Sequence, residues 1–226
     1  MSNVISARNL TRRLIDHGRV VTIINDVTLD IQRHKITSLT GPSGSGKSTL
    51  LYLLGLLDIP SSGQLYINDR SADSLSEEEK GIIRLTNIGY IFQFHFLIAE
   101  FSVLANVMLP MMKLGNKTSN EQEARAKLLL DELDLREHYN KKPAQLSGGQ
   151  RQRVAIARSM ANDPDIILAD EPTGSLDSKN AQNVFDIFTR LRDKFGKTII
   201  VVTHDLDLAQ IADNKIKLMD GKICNS

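Results

Sequence analysis

The residues with the clearest chemistry are Gly41-Pro42-Ser43-Gly44-Ser45-Gly46-Lys47-Ser48, which match the phosphate-loop spacing G-x-x-x-x-G-K-[ST]. Gly41, Gly44 and Gly46 allow backbone conformations in which several N–H groups turn inward onto phosphates. A helix opening near Lys47 adds its positive end. Lys47 would reach the β- and γ-phosphates, and Ser48 would hold Mg²⁺, with Thr49 completing the binding segment.

A second group is Asp170-Glu171, at the end of the apolar run Ile166-Ile167-Leu168-Ala169. By itself this pair reads equally as a solvated acidic turn before Pro172. Beside a phosphate loop it reads as Asp170 binding Mg²⁺ through water and Glu171 polarising the attacking water. A third group is Leu146-Ser147-Gly148-Gly149-Gln150, ahead of the helical stretch at residues 151–158. Ser147 has an ordinary reading as an N-cap. Ser147, Gly149 and Gln150 also stand at a helix N-terminus, an anion site in a chain that already has one. That surplus suggests a shared site, with two subunits packed head to tail and each closing the other's nucleotide.

These residues need a scaffold of strands that end where the chemistry begins. Residues 35–40 read as a strand entering the phosphate loop, and residues 48–57 as the helix leaving it. Short strands are expected at 63–67, closed by Asn68-Asp69, and at 88–92, ending at Gln93. Ser74 with Glu77 reads as a capping box. Residues 94–160 carry a helical pattern broken at Pro110 and Gly115. Within it Ser119 and Gln122 read as the cap of a helix to Leu133, with Ala124, Ala126, Leu128, Leu129 and Leu133 apolar. Strand 166–169, helix 178–195 ended by Gly196, strand 198–203, helix 206–212 and a hairpin across Asp220-Gly221 follow. Alternating elements of this kind imply an α/β fold with a mainly parallel sheet. The expected organisation is one domain over residues 1–226, with residues 94–160 as a helical insertion.

Bulk properties narrow the partners. The 226 residues carry 28 Lys+Arg against 27 Asp+Glu, a balance that gives no argument for nucleic acid. One cysteine, Cys224, can form neither an internal disulfide nor a cysteine metal site, which suits a reducing compartment. The first residues do not read as a secretory signal. No apolar run approaches the roughly 20 residues that span a bilayer, so a membrane role would need another chain.

Taken together, the three groups resemble the ATP-binding-cassette (ABC) ATPases over nearly the whole chain. The resemblance implies a P-loop NTPase fold with a mainly parallel core sheet, a small antiparallel β subdomain and a helical insertion. ATP and Mg²⁺ are the implied ligands. Gln93 matches the glutamine that senses the γ-phosphate and contacts Mg²⁺. Ser175-Leu176-Asp177 matches the loop after the acidic pair, and His204 the switch histidine that contacts the γ-phosphate and helps hold Glu171 and the water. Two departures stand out. Leu14 takes the place of the usual adenine-stacking aromatic, and His34-Lys35 replaces the usual Gly-Glu before the first core strand.

The stretches Leu53-Leu54-Gly55-Leu56-Leu57-Asp58, residues 92–101 and residues 171–177 resemble the branch of lipoprotein-releasing, macrolide-export and cell-division ATPases. That resemblance implies a homodimer working with an integral-membrane permease that has an extracytoplasmic domain, at the cytoplasmic face of the inner membrane. A regulator coupling ATP hydrolysis to cell-division or cell-wall signalling is the alternative. Phe94, Phe96, Leu97 and Phe101 read either as core of the insertion or as a groove for a short permease helix, extended by Val103, Met108, Met111 and Met112.

Overall fold

The computed structural model describes residues 2–205 and 209–224. The chain opens with a long hairpin, β1 (Asn3–Asp16) and β2 (Arg19–Gln32), which the motif reading did not foresee. Its turn is His17-Gly18, both left-handed at φ 45° and 79°, the geometry that suits the twist of a tight hairpin. Next come β3 (Ile36–Thr40) and α1 (Lys47–Leu54). The short strands β4 (Ser62–Ile67) and β5 (Arg70–Ser71) turn through Asn68 and Asp69, both also left-handed. Then follow α2 (Glu77–Thr86), β6 (Ile88–Ile91), α3 (Val103–Leu114), α4 (Ser119–Asp131) and α5 (Gly148–Ser159). The chain returns through β7 (Ile166–Asp170), α6 (Ser178–Phe195), β8 (Thr198–Val202), β9 (Asn214–Met219) and β10 (Lys222–Cys224).

Two sheets result. One is antiparallel, in the order β2-β1-β4-β5; the other has six strands in the order β10-β9-β3-β8-β7-β6. In the larger sheet every pairing is parallel except β9 with β10. β7 and β8 are buried along their whole length, which is why they read as unbroken apolar runs. Their alternating side chains serve two cores. Ile167, Ala169, Ile199 and Val201 face the helices α3 to α6, whereas Ile166, Leu168, Ile200 and Val202 face α1 and the hairpin sheet. The phosphate loop, after β3, and Glu171, after β7, thus sit at the same end of one sheet, where open α/β sheets hold ligands.

Local expectations shifted in five places. The helix after the phosphate loop stops at Leu54 rather than Leu57, because Gly55 is wedged against Leu168 and Tyr90 and Leu56 turns left-handed at φ 60°. The capping box of α2 is Ser76 with Glu79, not Ser74 with Glu77. Ser74 closes a preceding 3₁₀ turn, and the later phase lets Ile83 and Leu75 reach the core. The cap of α4 is Thr118, one residue before Ser119, since Glu121 accepts both the N–H and the hydroxyl of Thr118. Leu130 is buried there and Leu128 is exposed. Pro110 does not break α3, which runs on to Gly115 at φ 69°. Finally, residues 94–102 are not helical. Asn106 takes over their backbone instead, accepting from Ile98 N–H at 2.8 Å and donating to Ile98 O at 3.1 Å. The helix expected at 206–212 lies partly outside the described residues, at Leu206, Asp207 and Leu208.

The departure at His34 has a structural account. His34 is left-handed at φ 58°, a conformation glycine takes freely. Its N–H donates to Thr198 Oγ1 at 2.9 Å and its Nδ1 meets the Gly196 carbonyl, contacts that offset the strain. Lys35 pairs with Asp213 at 3.5 Å.

Candidate functional site

The phosphate loop bounds an open cavity of about 600 Å³ lined by Ile23, Gly41, Ser43, Gly44, Gly46, Lys47, Ser48, Thr49, Glu171 and His204. Two glycines are required by close approach. A Cβ on Gly41 would lie 2.0 Å from the Leu218 carbonyl oxygen, and one on Gly46 2.8 Å from that of Ile23. Gly46 is also the N-cap of α1, left-handed at φ 97°, with no side chain closing the first turn. The first N–H groups of α1 are therefore left to an outside acceptor, and an anion is the natural one. Lys47 is buried within the loop, its ammonium donating to the carbonyls of Gly41 at 3.0 Å and Pro42 at 2.9 Å. Pro42 and Ser45 do not line the cavity. Ser45 is 2 % exposed beneath the loop, and its hydroxyl has no hydrogen-bond partner.

The acidic pair splits in two directions. Asp170 is 8 % exposed and does not line the cavity; it lies behind Ser48. Ser48 Oγ donates to its Oδ1 at 2.9 Å and Tyr52 O–H to its Oδ2 at 2.8 Å. Desolvation, then the hydrogen bond and charge of Asp170, push the Tyr52 phenol up to about 12, so it stays a donor at any ordinary pH. A hydroxyl beside a carboxylate is hard-oxygen chemistry that fits Mg²⁺. Glu171 instead reaches the cavity. It is left-handed at φ 46°, an uncommon conformation for a side-chain-bearing residue. Its N–H donates to the Val202 carbonyl at 2.9 Å, which holds the turn. Glu171 Oε1 lies 3.5 Å from Nδ1 of His204, which β8 delivers to the same edge. A carboxylate and an imidazole at this separation can share and orient a water between the loop and the sheet.

Gln93 follows β6, and Gly174 shows where it lies. A Cβ on Gly174 would meet Gln93 Nε2 at 3.2 Å and Glu171 Oε2 at 3.5 Å. Ser147, Gly149 and Gln150 are not part of this cavity. Ser147 caps α5, accepting from Gln150 N–H at 3.2 Å, while Gln150 Oε1 accepts from Ser147 N–H at 2.9 Å. Gly149 packs under Asn180, where a Cβ would come within 2.2 Å of Oδ1. Leu14 does not line the cavity either. It stands on β1 opposite Val21, 44 % exposed, while Ile23 of β2 faces the loop.

Two residues of the site escaped the motif reading. Ile23 belongs to a strand that reading did not resolve. Tyr52 carried a usable signal, since it lies one helical turn beyond Ser48 on the same face of α1. Of the residues proposed for a groove, Phe94, Phe96, Phe101 and Met112 are exposed, whereas Val103 and Met111 are fully buried core. Phe96 packs edge-on to Phe92, with ring centroids 5.4 Å apart. Arg158 of α5 holds this segment, donating to the carbonyls of His95 and Phe96 at 2.7 Å each. Burial, then the charges of Arg151 and Arg158, push His95 below the usual imidazole range.

A family model described as ABC transporter matches residues 24–174. The lipoprotein-releasing system ATP-binding protein LolD 1 of Chlorobium chlorochromatii is 46 % identical over 225 residues, covering 99 % of this chain and 92 % of that protein. The protein LolD of Aquifex aeolicus is 41 % identical, covering 99 % and 97 %. Among solved structures, a bacterial ABC transporter cassette seen as a dimer superposes with a TM-score of 0.91 at 40 % identity, over 98 % of this chain and 97 % of that one. The same cassette in a post-hydrolysis state with ADP and Pi also gives 0.91, at 39 % identity. The likeness extends beyond the three motifs to the opening hairpin and the intervening helices alike, so the chain belongs to the ABC transporter family, as one of its ATP-hydrolysing cassettes.

Proposed function

We propose that this chain is the ATPase subunit that powers a separate membrane permease of the lipoprotein-releasing type. One observation carries this reading: Lys47 and Ser48 from the phosphate loop face Glu171 and His204 across one cavity, beside a strand end that keeps Asp170 behind Ser48. The LolD proteins share this chain almost from end to end, which is the support for the lipoprotein-releasing branch. Residues 1–226 act as a single cassette, with residues 94–160 as its helical insertion.

ATP lies with its phosphates in the loop, where the backbone N–H groups of Gly44, Gly46, Lys47 and Ser48 supply donors and the Lys47 ammonium the positive charge. Ser48 and Gln93, with Asp170 through water, would hold Mg²⁺, which would supply positive charge to neutralise the phosphates. Glu171 takes a proton from the attacking water, and His204 holds Glu171 and the γ-phosphate in register. Ser147, Gly149 and Gln150 of a second copy close the same ATP. Only the closed dimer then makes every phosphate contact, so ATP shifts the population toward it and hydrolysis releases it.

No helix among the described residues is long and apolar enough to cross a membrane. The membrane part belongs to the permease, with an extracytoplasmic domain, and this subunit sits peripherally at the cytoplasmic face of the inner membrane. Exposed Phe94, Phe96 and Phe101 form the face offered to a short permease helix. The test is affinity recovery of the Glu171→Gln protein from native membranes with ATP and Mg²⁺. Co-elution of a permease with a large extracytoplasmic domain is expected. Recovery of the intact ATPase with no membrane protein would overturn the reading.

A further inference from the structure

Tyr52 belongs to none of the motifs, yet it touches the buried carboxylate of the site. Ser48 and Tyr52 stand one turn apart on α1, and each donates to a different oxygen of Asp170, at 2.9 Å to Oδ1 and 2.8 Å to Oδ2. Both oxygens of a side chain that is 8 % exposed are therefore held by a single helix. A phenol donating to a carboxylate makes a charge-assisted bond, stronger than a neutral one and directional. The Tyr52 ring is itself fixed, edge-on to Phe92 with centroids 6.4 Å apart, and Phe92 directly precedes Gln93.

We propose that Tyr52 is a positioning residue for the metal of the ATP site: by holding Oδ2 of Asp170 it keeps Oδ1 turned toward Ser48, so that the hydroxyl oxygen faces a divalent cation and the carboxylate holds that cation's water in one fixed orientation. This rests on the reading of Ser48 and Asp170 as metal-binding residues. Mg²⁺ demands near-ideal octahedral geometry, so a carboxylate that rotates freely binds it less well. Partners that orient a metal-binding group in this way are worth about 10- to 100-fold in metal affinity. Tyr52→Phe removes the hydroxyl and keeps the ring and its contact with Phe92, which separates positioning from packing.

The experiment uses the 226-residue chain and two readouts independent of turnover. Binding of a fluorescent ATP analogue is measured in EDTA, and Mn²⁺ is titrated by electron paramagnetic resonance in the presence of a non-hydrolysable ATP analogue. Tyr52→Phe is expected to keep metal-free nucleotide affinity within about twofold and to raise the Mn²⁺ dissociation constant about 10-fold. In an Asp170→Asn background the same substitution is expected to change Mn²⁺ affinity no further, because Tyr52 acts through that carboxylate. Unchanged Mn²⁺ affinity in Tyr52→Phe overturns the inference. So does an equal loss of metal-free nucleotide binding, which would assign the hydroxyl to helix packing. A parent chain that binds nucleotide equally with and without Mn²⁺ overturns the underlying reading of Ser48 and Asp170 as well.

Discussion

Two helices of this chain begin in glycine-rich sequence, and their first turns are built in opposite ways. α1 starts at Gly46, left-handed, with no side chain satisfying its first N–H groups. α5 starts at Ser147 and is closed on itself, Ser147 and Gln150 each bonding the other's backbone while Gln150 Nε2 meets His138 Nε2 at 2.8 Å. Every helix leaves N–H groups to satisfy at this end. At α1 they are left for a ligand, under a left-handed cap that glycine adopts without strain. At α5 a reciprocal side-chain box already takes one of them. The difference fits the proposed function, in which one chain carries two phosphate-binding elements with unequal duties. In that proposed function, the first holds nucleotide by itself, and the second gains its ligand only when a second copy brings one.

Substitutions that act on one helix and spare the other test this contrast. The largest effect belongs to Glu171→Gln, which touches neither helix. Turnover should fall by about 10²- to 10⁴-fold while nucleotide binding persists and an ATP-dependent dimer accumulates in size-exclusion chromatography. Parental turnover would remove Glu171 from the role of base. Lys47→Ala, at the open end of α1, should weaken ATP binding about 10- to 100-fold in a calorimetric titration, the scale of a lost charge-assisted contact. Ser147→Ala, at the closed end of α5, should cost about 1 kcal/mol in denaturant unfolding and leave the monomer's nucleotide affinity unchanged. ATP-driven dimerisation should weaken in the same variant. If Ser147→Ala instead lowered monomer affinity as Lys47→Ala does, the contrast between the two helices would collapse.

The smallest effect lies beyond the far end of α5. There Lys197, itself buried, donates to Asp163 Oδ1 at 2.9 Å, and that bond holds the Asp163 carboxyl below its usual range. A depressed carboxyl stabilises the fold above its unfolded pKa and loses that contribution as pH falls through the folded one. Asp163 is largely exposed, so solvent screening limits the effect to about 0.5 kcal/mol. Asp163→Asn should therefore unfold slightly earlier than the parent at pH 7 and equally at a pH below the folded pKa. A gap that persisted in acid would assign the loss to the hydrogen bond and not to the charge.

The segment between β6 and α3 shows a further contrast with the phosphate loop. Both depart from regular structure, and both contain left-handed residues. In the phosphate loop these are glycines, whereas here Phe96 adopts φ 46° with its ring exposed. The backbone is held by side chains from elsewhere, Arg158 on the carbonyls of His95 and Phe96 and Asn106 on Ile98. Apolar periodicity in this stretch suggested helix because it could not register polar groups arriving from α5 and α3.

What the sequence by itself determined is what neighbouring residues decide. The phosphate loop, the bounds of α6 between Asp177 and Gly196, the Asp220-Gly221 turn and the parallel run of β7 and β8 are legible because glycine conformations, side-chain caps and apolar runs act within a few residues. The candidate groups at the carboxyl ends of the strands were legible for the same reason. Only the tertiary structure decided between two overlapping Ser-x-x-Glu boxes at α2, because burial of Ile83 and packing of half-buried Leu75 against the same core select the later one. It also decided that Leu130 and not Leu128 faces the core. It brought Glu171 to His204 and Tyr52 to Asp170 across 33 and 118 positions of chain. Those pairings depend on which strands lie side by side, and strand order is set by packing between distant segments rather than by any local preference.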